Sequence, residues 1–321
     1  MTGSGSVAAR PVIVIAGPTA SGKSALAVDL AVEFSGTVIN ADSMQVYDQL
    51  DILSARPSPA ELARVPHRLY GSVDASESCS AGRWRQMAAV EIEAAWAVQR
   101  LPIVVGGTGL YLKALTCGLS PIPDIAAEFR HQATALLEQL GEAAFHRELA
   151  KRDPVMAARL ATGDRQRLIR AFEVSLATGR PLSDWQNEPL SGSPVAARYC
   201  TLVVLPERQK LYAGIDARFE QMVDGGAVEE VRNLLALNLD PALPVLKALG
   251  VPELGRYLNG ECDLDHAIAD GQRATRNFAK RQLTWLRHQL KNDLEIPAQY
   301  SESLRAEIFS FIRPFLLTDC P

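Results

Sequence analysis

The amino-acid sequence predicts an α/β fold, with a parallel sheet around a phosphate-binding loop and an all-helical insertion interrupting it. Three observations carry this. Short β-branched runs alternate with helical patterns in the first hundred residues, the signature of a parallel sheet covered on both faces. A glycine-rich loop sits at the first strand–helix junction. From Leu119 to about Trp185 only helical periodicity is present, and the strand pattern resumes at Thr201.

In chain order, residues 11–16 (Pro-Val-Ile-Val-Ile-Ala) form a short buried-type strand ended by glycine. Residues 23–34 read as a helix, with Leu26, Leu30 and Phe34 on one stripe. Thr37–Ala41 is a second strand ending at Asp42, residues 83–99 form a long alanine-rich helix, and Pro102–Val105 is a third strand running into Gly106-Gly107-Thr108-Gly109. Within the helical stretch, Asp153-Pro154 opens a helix with proline at its first position. Asp164 is placed to cap another, which Gly179-Arg-Pro181 stops. A linker follows at 187–194, Thr201–Leu205 is a strand, and residues 206–292 are mostly helical. The expected organisation is a lead at 1–10 read as disordered, an α/β core at 11–120 and 195–296, a helical insertion at 121–190 and a C-terminal tail at 297–321.

Composition bounds the function. The 321 residues are 47% apolar and 22% charged, ordinary for a soluble globular protein. No apolar run approaches the roughly 20 residues of a membrane helix, and Met1–Arg10 lacks a signal-type apolar core. A cytoplasmic protein with no membrane association is expected. The five cysteines include no C-x-x-C pair, so zinc spacing is absent. Net charge of −4 argues against nucleic acid as a partner. Two basic clusters survive within it, however: Arg165, Arg167 and Arg170, and the run Arg273, Arg276, Lys280, Arg281, Arg287 and Lys291.

The loop Gly17-Pro18-Thr19-Ala20-Ser21-Gly22-Lys23-Ser24 fits G-x-x-x-x-G-K-[ST] at every fixed position. Glycines let the backbone curl so that successive N–H groups converge on an anion, and the following helix adds its positive end. Lys23 supplies a full charge, and Ser24 a hydroxyl for Mg²⁺, the expected cofactor. The loop identifies bound phosphate without identifying the reaction. No Asn-Lys-x-Asp guanine reader is present, and the strand Ile103-Val104-Val105 runs into glycines rather than Asp-Glu. Two classes remain at this point: a small-molecule or nucleoside kinase, and a transferase from which diphosphate departs.

Further motifs narrow the choice. The loop is followed by Asn40-Ala-Asp-Ser-Met-Gln-Val-Tyr47, Pro66-His-Arg-Leu69, Val105-Gly-Gly-Thr-Gly-Leu-Tyr111, Asp164-Arg-Gln-Arg-Leu168 and Lys280-Arg-Gln-Leu-Thr-Trp-Leu-Arg287. In this order, over about 90% of the chain, the blocks resemble the bacterial tRNA dimethylallyltransferases (tRNA isopentenyltransferases). Two departures stand out. The family's Ile-Gly-Tyr-Lys/Arg-Glu segment is here Leu249-Gly-Val-Pro-Glu253, so no RNA contact is carried over there. The C-terminal zinc finger of some eukaryotic members is ruled out by the cysteine pattern.

The resemblance implies a P-loop NTPase-like core with a helical tRNA-binding insertion. It implies transfer of a dimethylallyl group from dimethylallyl diphosphate to N6 of the adenosine at tRNA position 37, beside the anticodon, with release of diphosphate. The implied partners are the tRNA anticodon stem-loop and dimethylallyl diphosphate, with no obligate protein partner, for a chain read as a monomer. A nucleotide-binding label follows from the loop, with ATP incidental to turnover. Among site residues it implies Arg218 on the leaving diphosphate and Thr108 near the reacting base. Asp42, just past a buried strand where α/β sheets present functional groups, is the candidate general base; a cap of the next segment or a Mg²⁺ ligand are its other readings. Asp42, Ser43, Met44, Gln45 and Thr108 are expected to line the tRNA site. The remaining expected tRNA contacts are Arg130, then Gln166, Arg167, Leu168, Ile169 and Arg170, then Lys280, Arg281, Gln282, Leu283, Thr284, Trp285, Leu286 and Arg287. Periodicity alone assigns Leu168, Ile169, Leu283 and Leu286 to apolar stripes, and it reads Trp285 as core rather than as a stacking platform. The basic faces of both helices read equally as solvated surface until the resemblance is considered.

Overall fold

The computed structural model describes residues 9–318; the expected N-terminal lead therefore lies almost wholly outside the described residues. Strand β1 (Arg10–Ala16) leads through the phosphate loop into α1 (Lys23–Glu33) and β2 (Gly36–Asn40). Then come α2 (Pro59–Arg64), β3 (His67–Arg68), α3 (Ala81–Ala97), β4 (Leu101–Gly106) and α4 (Gly109–Thr116). Helices α5 (Ala127–Leu140), α6 (Glu142–Arg152), α7 (Pro154–Arg159), α8 (Arg165–Thr178) and α9 (Leu182–Asn187) follow without a strand. Strand β5 (Ala197–Val204) returns to the sheet, followed by α10 (Arg208–Asp224), α11 (Ala227–Ala236), α12 (Val251–Leu258), the 26-residue α13 (Leu264–Gln289), β6 (Leu294–Ile296) and α14 (Arg305–Leu317).

All six strands are parallel, in the order β3-β2-β4-β1-β5-β6. β1 is central, flanked in register by β4 (Ile13 opposite Ile103) and β5 (Ile13 opposite Cys200). Its side chains alternate between faces. Val12, Val14 and Ala16 enter one apolar cluster, with Trp84, Leu112, Ile215 and Leu286. Ile13 and Ile15 enter the other, with Leu26 and Leu30 of α1 and Ile308, Phe309 and Ile312 of α14. A centre buried on both faces explains why β1 from Val12 and β4 read as unbroken apolar runs.

The chain divides into two compact units: residues 1–116 with 193–321, and residues 117–192. The second is the helical stretch, with its own core of Leu137, Phe145, Leu149, Leu168, Phe172 and Val174. Asp153 is fully buried; its carboxylate caps α7 by accepting from Met156 N (2.9 Å) and also accepts from Ser183 N (2.9 Å), joining α7 to α9. Gly179 closes α8 at φ 67°. The stretch after Ile296, expected to be a tail, instead packs α14 onto α1 in the second sheet cluster. β3, two residues long, and β6, three residues long, were too short to show a period in the sequence.

Candidate active site

The phosphate loop takes its shape from two successive departures into positive φ: Ala20 (61°) and Gly22 (85°). Gly22 meets both demands on the position, because a Cβ there would also lie 3.0–3.2 Å from Tyr300. Ser21 N donates to Pro18 O (3.3 Å), closing the turn. Lys23 Nζ donates to Pro18 O (3.2 Å), so the ammonium is held across the loop. Burial pushes Lys23 down to about 8; the Asp42 carboxylate opposes this and the Arg218 guanidinium adds to it. Arg218, from α10, donates to the Thr19 hydroxyl. Burial lowers its pKa as well, again against the field of Asp42. Two desolvated cations and one carboxylate thus share a single electrostatic environment, which makes this cluster a functional-site candidate.

Asp42 leaves the end of β2 held on both sides. The buried Asn40 accepts from Asp42 N (2.8 Å) through Oδ1 and donates through Nδ2 to Asp42 O (3.0 Å) and Leu69 O (3.0 Å). One carboxylate oxygen, Oδ1, accepts from Met44 N (2.9 Å). Asp42 therefore caps the turn that follows, as one reading of the sequence held, and still lines the cleft. Thr108 ties the loop after β4 to the loop after β2: its Oγ1 accepts from Ser43 N (2.9 Å) and its hydroxyl contacts Ser43 Oγ (3.3 Å).

The cleft has a volume of about 270 Å³ and lies wholly within the sheet-containing unit. Thr19, Asp42, Ser43 and Arg218 provide its polar side; Leu53, Ile215, Phe219, Met222, Leu249 and Phe278 its apolar wall, with Arg281 and Lys247 also on the lining. The wall was missed from sequence. Ile215 and Phe219 sit on a stripe that periodicity assigns simply to core, and Leu53 reaches the cleft only because its loop is clamped. The Glu230 carboxylate of α11 accepts from three consecutive main-chain amides, of Asp51, Ile52 and Leu53, at 2.5, 2.7 and 2.9 Å. Gln45 donates through Nε2 to Ser54 O (3.0 Å) and Ala55 O (2.8 Å), so it also holds this same loop.

Several expected tRNA contacts are displaced by packing. Leu168 and Ile169 lie in the core of the helical unit, and Leu283 and Leu286 in the core under the sheet, none exposed by more than 8%. Trp285 packs against Gly109, where a Cβ would come within 2.4 Å of the indole. Gln282 is also buried: its Oε1 accepts from Thr19 N (3.0 Å) and its Nε2 donates to Gly107 O (2.9 Å), joining the phosphate loop to the glycine loop after β4. A polar residue inside an apolar helical stripe was the available signal. Arg130 (3.4 Å) and Arg170 (2.6 Å) both bind the buried carboxylate of Glu173. Gln166 and Arg167 are exposed on α8, as are Lys280, Arg281, Thr284 and Arg287 on α13.

Ser24, in the first turn of α1 beside Lys23, exposes its hydroxyl. No group of three or more His, Cys, Asp or Glu able to hold a metal occurs among the described residues. An all-protein cage is thus not on offer. A hydroxyl beside a phosphate cradle does fit Mg²⁺, which usually keeps several waters and one or two protein oxygens along with substrate phosphates.

The IPP transferase family model matches residues 45–289. The chain is 58% identical over 308 residues to the tRNA dimethylallyltransferase of Paramagnetospirillum magneticum, covering 96% of this chain and 98% of that one. It is 52% identical over 312 residues to that of Rhodospirillum rubrum, covering 96% of each. Among solved structures, the full-length tRNA isopentenylpyrophosphate transferase of Bacillus halodurans superposes with a TM-score of 0.67 at 33% identity, over 96% of this chain and 97% of that one. A eukaryotic dimethylallyltransferase captured acting on tRNA superposes at 0.79 and 27% identity, over 98% of this chain and 81% of that one.

Proposed function

The chain belongs to the IPP transferase family and is a tRNA-modifying prenyltransferase that moves a dimethylallyl group onto tRNA; from that premise we propose the following account of its chemistry. The donor is dimethylallyl diphosphate, and the acceptor is the exocyclic N6 of the adenosine at tRNA position 37, in the anticodon stem-loop. The observation that carries this is the cleft itself, where Thr19, Arg218 and Asp42 share a lining with the apolar wall. A kinase of small polar acceptors has no use for that wall; a five-carbon allylic chain does. No helix of the described residues is long and apolar enough to cross a membrane, and we place the reaction in the cytoplasm.

Two charges must be managed. Negative charge grows on the departing diphosphate, and donors aimed beforehand at that charge supply the largest share of catalysis. The loop amides of Ala20, Gly22, Lys23 and Ser24, the Lys23 ammonium and the Arg218 guanidinium have that role. Mg²⁺, when held at Ser24, neutralises part of the diphosphate charge. The attacking amine must also lose a proton as the C–N bond forms. Asp42 takes it: a carboxylate is weak toward a free amine but adequate once the nitrogen has begun to bear positive charge. Thr108, bonded to Ser43 N, holds the two loops that face the base. The base must first leave its stack, and the exposed Gln166 and Arg167, and separately Lys280, Arg281 and Arg287, are proposed to hold the RNA strand.

Incubating the protein with dimethylallyl diphosphate and unmodified tRNA should yield a prenylated adenosine by nucleoside mass spectrometry. Asp42→Ala should lower the single-turnover rate by roughly 10²–10⁴-fold with tRNA affinity retained. Full turnover in that variant removes Asp42 from the role of base. Consumption of ATP without RNA, and indifference to the prenyl donor, would establish the kinase instead.

A further inference from the structure

The segment after the last sheet strand touches the phosphate loop. Tyr300 N donates to Ser21 O at 3.1 Å. A trans peptide directs its C=O and N–H to opposite sides. With the Ser21 carbonyl turned outward to Tyr300, the N–H of Gly22 in the same peptide is turned into the loop. The fit is close, since a Cβ on Gly22 would lie 3.0 Å from Tyr300 Cβ and 3.1 Å from Tyr300 O. Tyr300 is itself anchored. Its hydroxyl donates to Asp29 Oδ2 (2.7 Å), and Asp29 lies on α1, the helix that the loop feeds. Arg305 donates to the same oxygen (2.9 Å) and Arg64 to Oδ1 (3.3 Å). Asp29 is 9% exposed, and its charge is met by three donors: the buried Tyr300 and two arginines that reach in from the surface. Further support comes from β6, where Leu205 N donates to Ile296 O (2.8 Å), and from α14, whose Ile308, Phe309 and Ile312 pack on α1.

We infer that the C-terminal segment from β6 through α14 is a strut for the phosphate loop, and that Tyr300 is a positioning residue: its main-chain N–H aims the Gly22 amide at the diphosphate, and its hydroxyl locks the contact to α1. The inference rests on the reading of the loop as a diphosphate site. It accounts for a buried carboxylate, Asp29, that no step of the transfer uses. Preorganised donors bind an anion without first being ordered, so loosening one weakens affinity for the free diphosphate, and because the same donors meet the charge that grows on the leaving group it also lowers kcat/KM.

The test uses the full chain. Binding of inorganic pyrophosphate with Mg²⁺ is measured by calorimetry, and transfer kinetics at saturating tRNA are measured in parallel. Tyr300→Ala should weaken pyrophosphate about five- to tenfold and lower kcat/KM for dimethylallyl diphosphate by at least as much. Tyr300→Phe, which keeps the ring and the main chain, should give about a two- to threefold effect in the same direction. Arg64→Ala, on the far oxygen of Asp29, should leave both constants unchanged and serves as the control for general loosening of the cluster. The strut is refuted if Tyr300→Phe binds pyrophosphate as the wild type does, or if either tyrosine variant loses activity with its pyrophosphate Kd unchanged, the mark of a smaller folded fraction. Absence of pyrophosphate binding in the wild type would instead overturn the diphosphate reading itself.

Discussion

Gln282→Leu tests whether one buried amide holds the two loops of the cleft in register. The substitution keeps the helix and nearly the volume, and removes both the acceptor for Thr19 N (3.0 Å) and the donor to Gly107 O (2.9 Å). The two ends do not cost the same. Gly107 is buried, so its carbonyl loses its partner with no water to replace it, about 1–3 kcal/mol. Thr19 is half-buried and its freed N–H can reach solvent, leaving only the net value of a hydrogen bond, about 1 kcal/mol. The sum is about 2–4 kcal/mol, or roughly 5–15 °C in the melting temperature of a unit this size. Thermal unfolding by circular dichroism reads the first effect, and KM for dimethylallyl diphosphate, expected to rise about tenfold as Thr19 loses its anchor, reads the second. Gln282→Glu separates the two bonds: it still accepts from Thr19 N but sets a carboxylate oxygen against Gly107 O, and should be at least as damaging. If Gln282→Leu melts within about 1 °C of the wild type and keeps its KM, the bridge does not organise the cleft.

Three further outcomes are expected. Lys23 is lowered from 10.5 to about 8; the folded state therefore binds fewer protons than the unfolded chain between those values, so the unliganded protein should gain stability as pH rises from about 8 toward 10.5. Over the same window pyrophosphate affinity should fall as the ammonium discharges, and Lys23→Met, compared at each pH, should lack both trends. Arg167→Ala, exposed on α8 and paired with Asp164 at 3.2 Å, should weaken tRNA binding and reduce the salt slope by about one unit with no loss of stability, whereas Arg130→Ala with Arg170→Ala strands the buried Glu173 and should destabilise the helical unit by about 3–5 kcal/mol in urea unfolding. Glu230→Ala removes the acceptor for three amides at 51–53 and should speed hydrogen exchange there and raise KM for the prenyl donor, with Glu230→Gln in between.

The sheet was legible in the sequence where it is buried on both faces. β1 from Val12 and β4 are continuous apolar runs because no residue there meets water, and the loop after β1 carries glycine at 22, where φ is positive, and at 17, where a Cβ would lie 2.7 Å from Ser21 Oγ. β3 and β6 were not legible: two and three residues have no period. Polar site residues that touch ligand-facing backbone, such as Lys23 and Asp42, occur in short motifs because their spacing along one turn is the chemistry. The apolar wall assembles from α10, α13 and two loops far apart in sequence, and nothing local distinguishes a leucine facing a cleft from one facing a core. The motif blocks also mislead in one direction. In Lys280-Arg-Gln-Leu-Thr-Trp-Leu-Arg287 the alternation is helical, so half of the block must point inward, and Gln282, Leu283 and Leu286 do.

The segment Leu249–Glu253 shows how a lost motif can leave a site intact. It lacks the aromatic and basic residues of its family's pattern, which removes any reason to place RNA there. Its backbone work is unchanged. Gly250 adopts φ 92° at the N-cap of α12, and Glu253 Oε2 accepts from Gly250 N (3.0 Å), so the turn is fixed by the two residues of the pattern that remain. A Cβ at Gly250 would lie 2.7 Å from Leu53 and 3.3 Å from Phe219, two members of the apolar wall. Leu249 completes that wall from the other side of the turn, and Val251 is buried beneath it. The segment therefore bears on the cleft through its shape. A side chain at Gly250 would push Leu53 out against the Glu230 clamp, whereas trimming Val251 removes buried volume without placing an atom against the wall. Gly250→Ala should accordingly raise KM for the prenyl donor, while Val251→Ala costs stability and leaves KM within about twofold; equal effects on KM from the two would mean that the segment acts through something other than the wall.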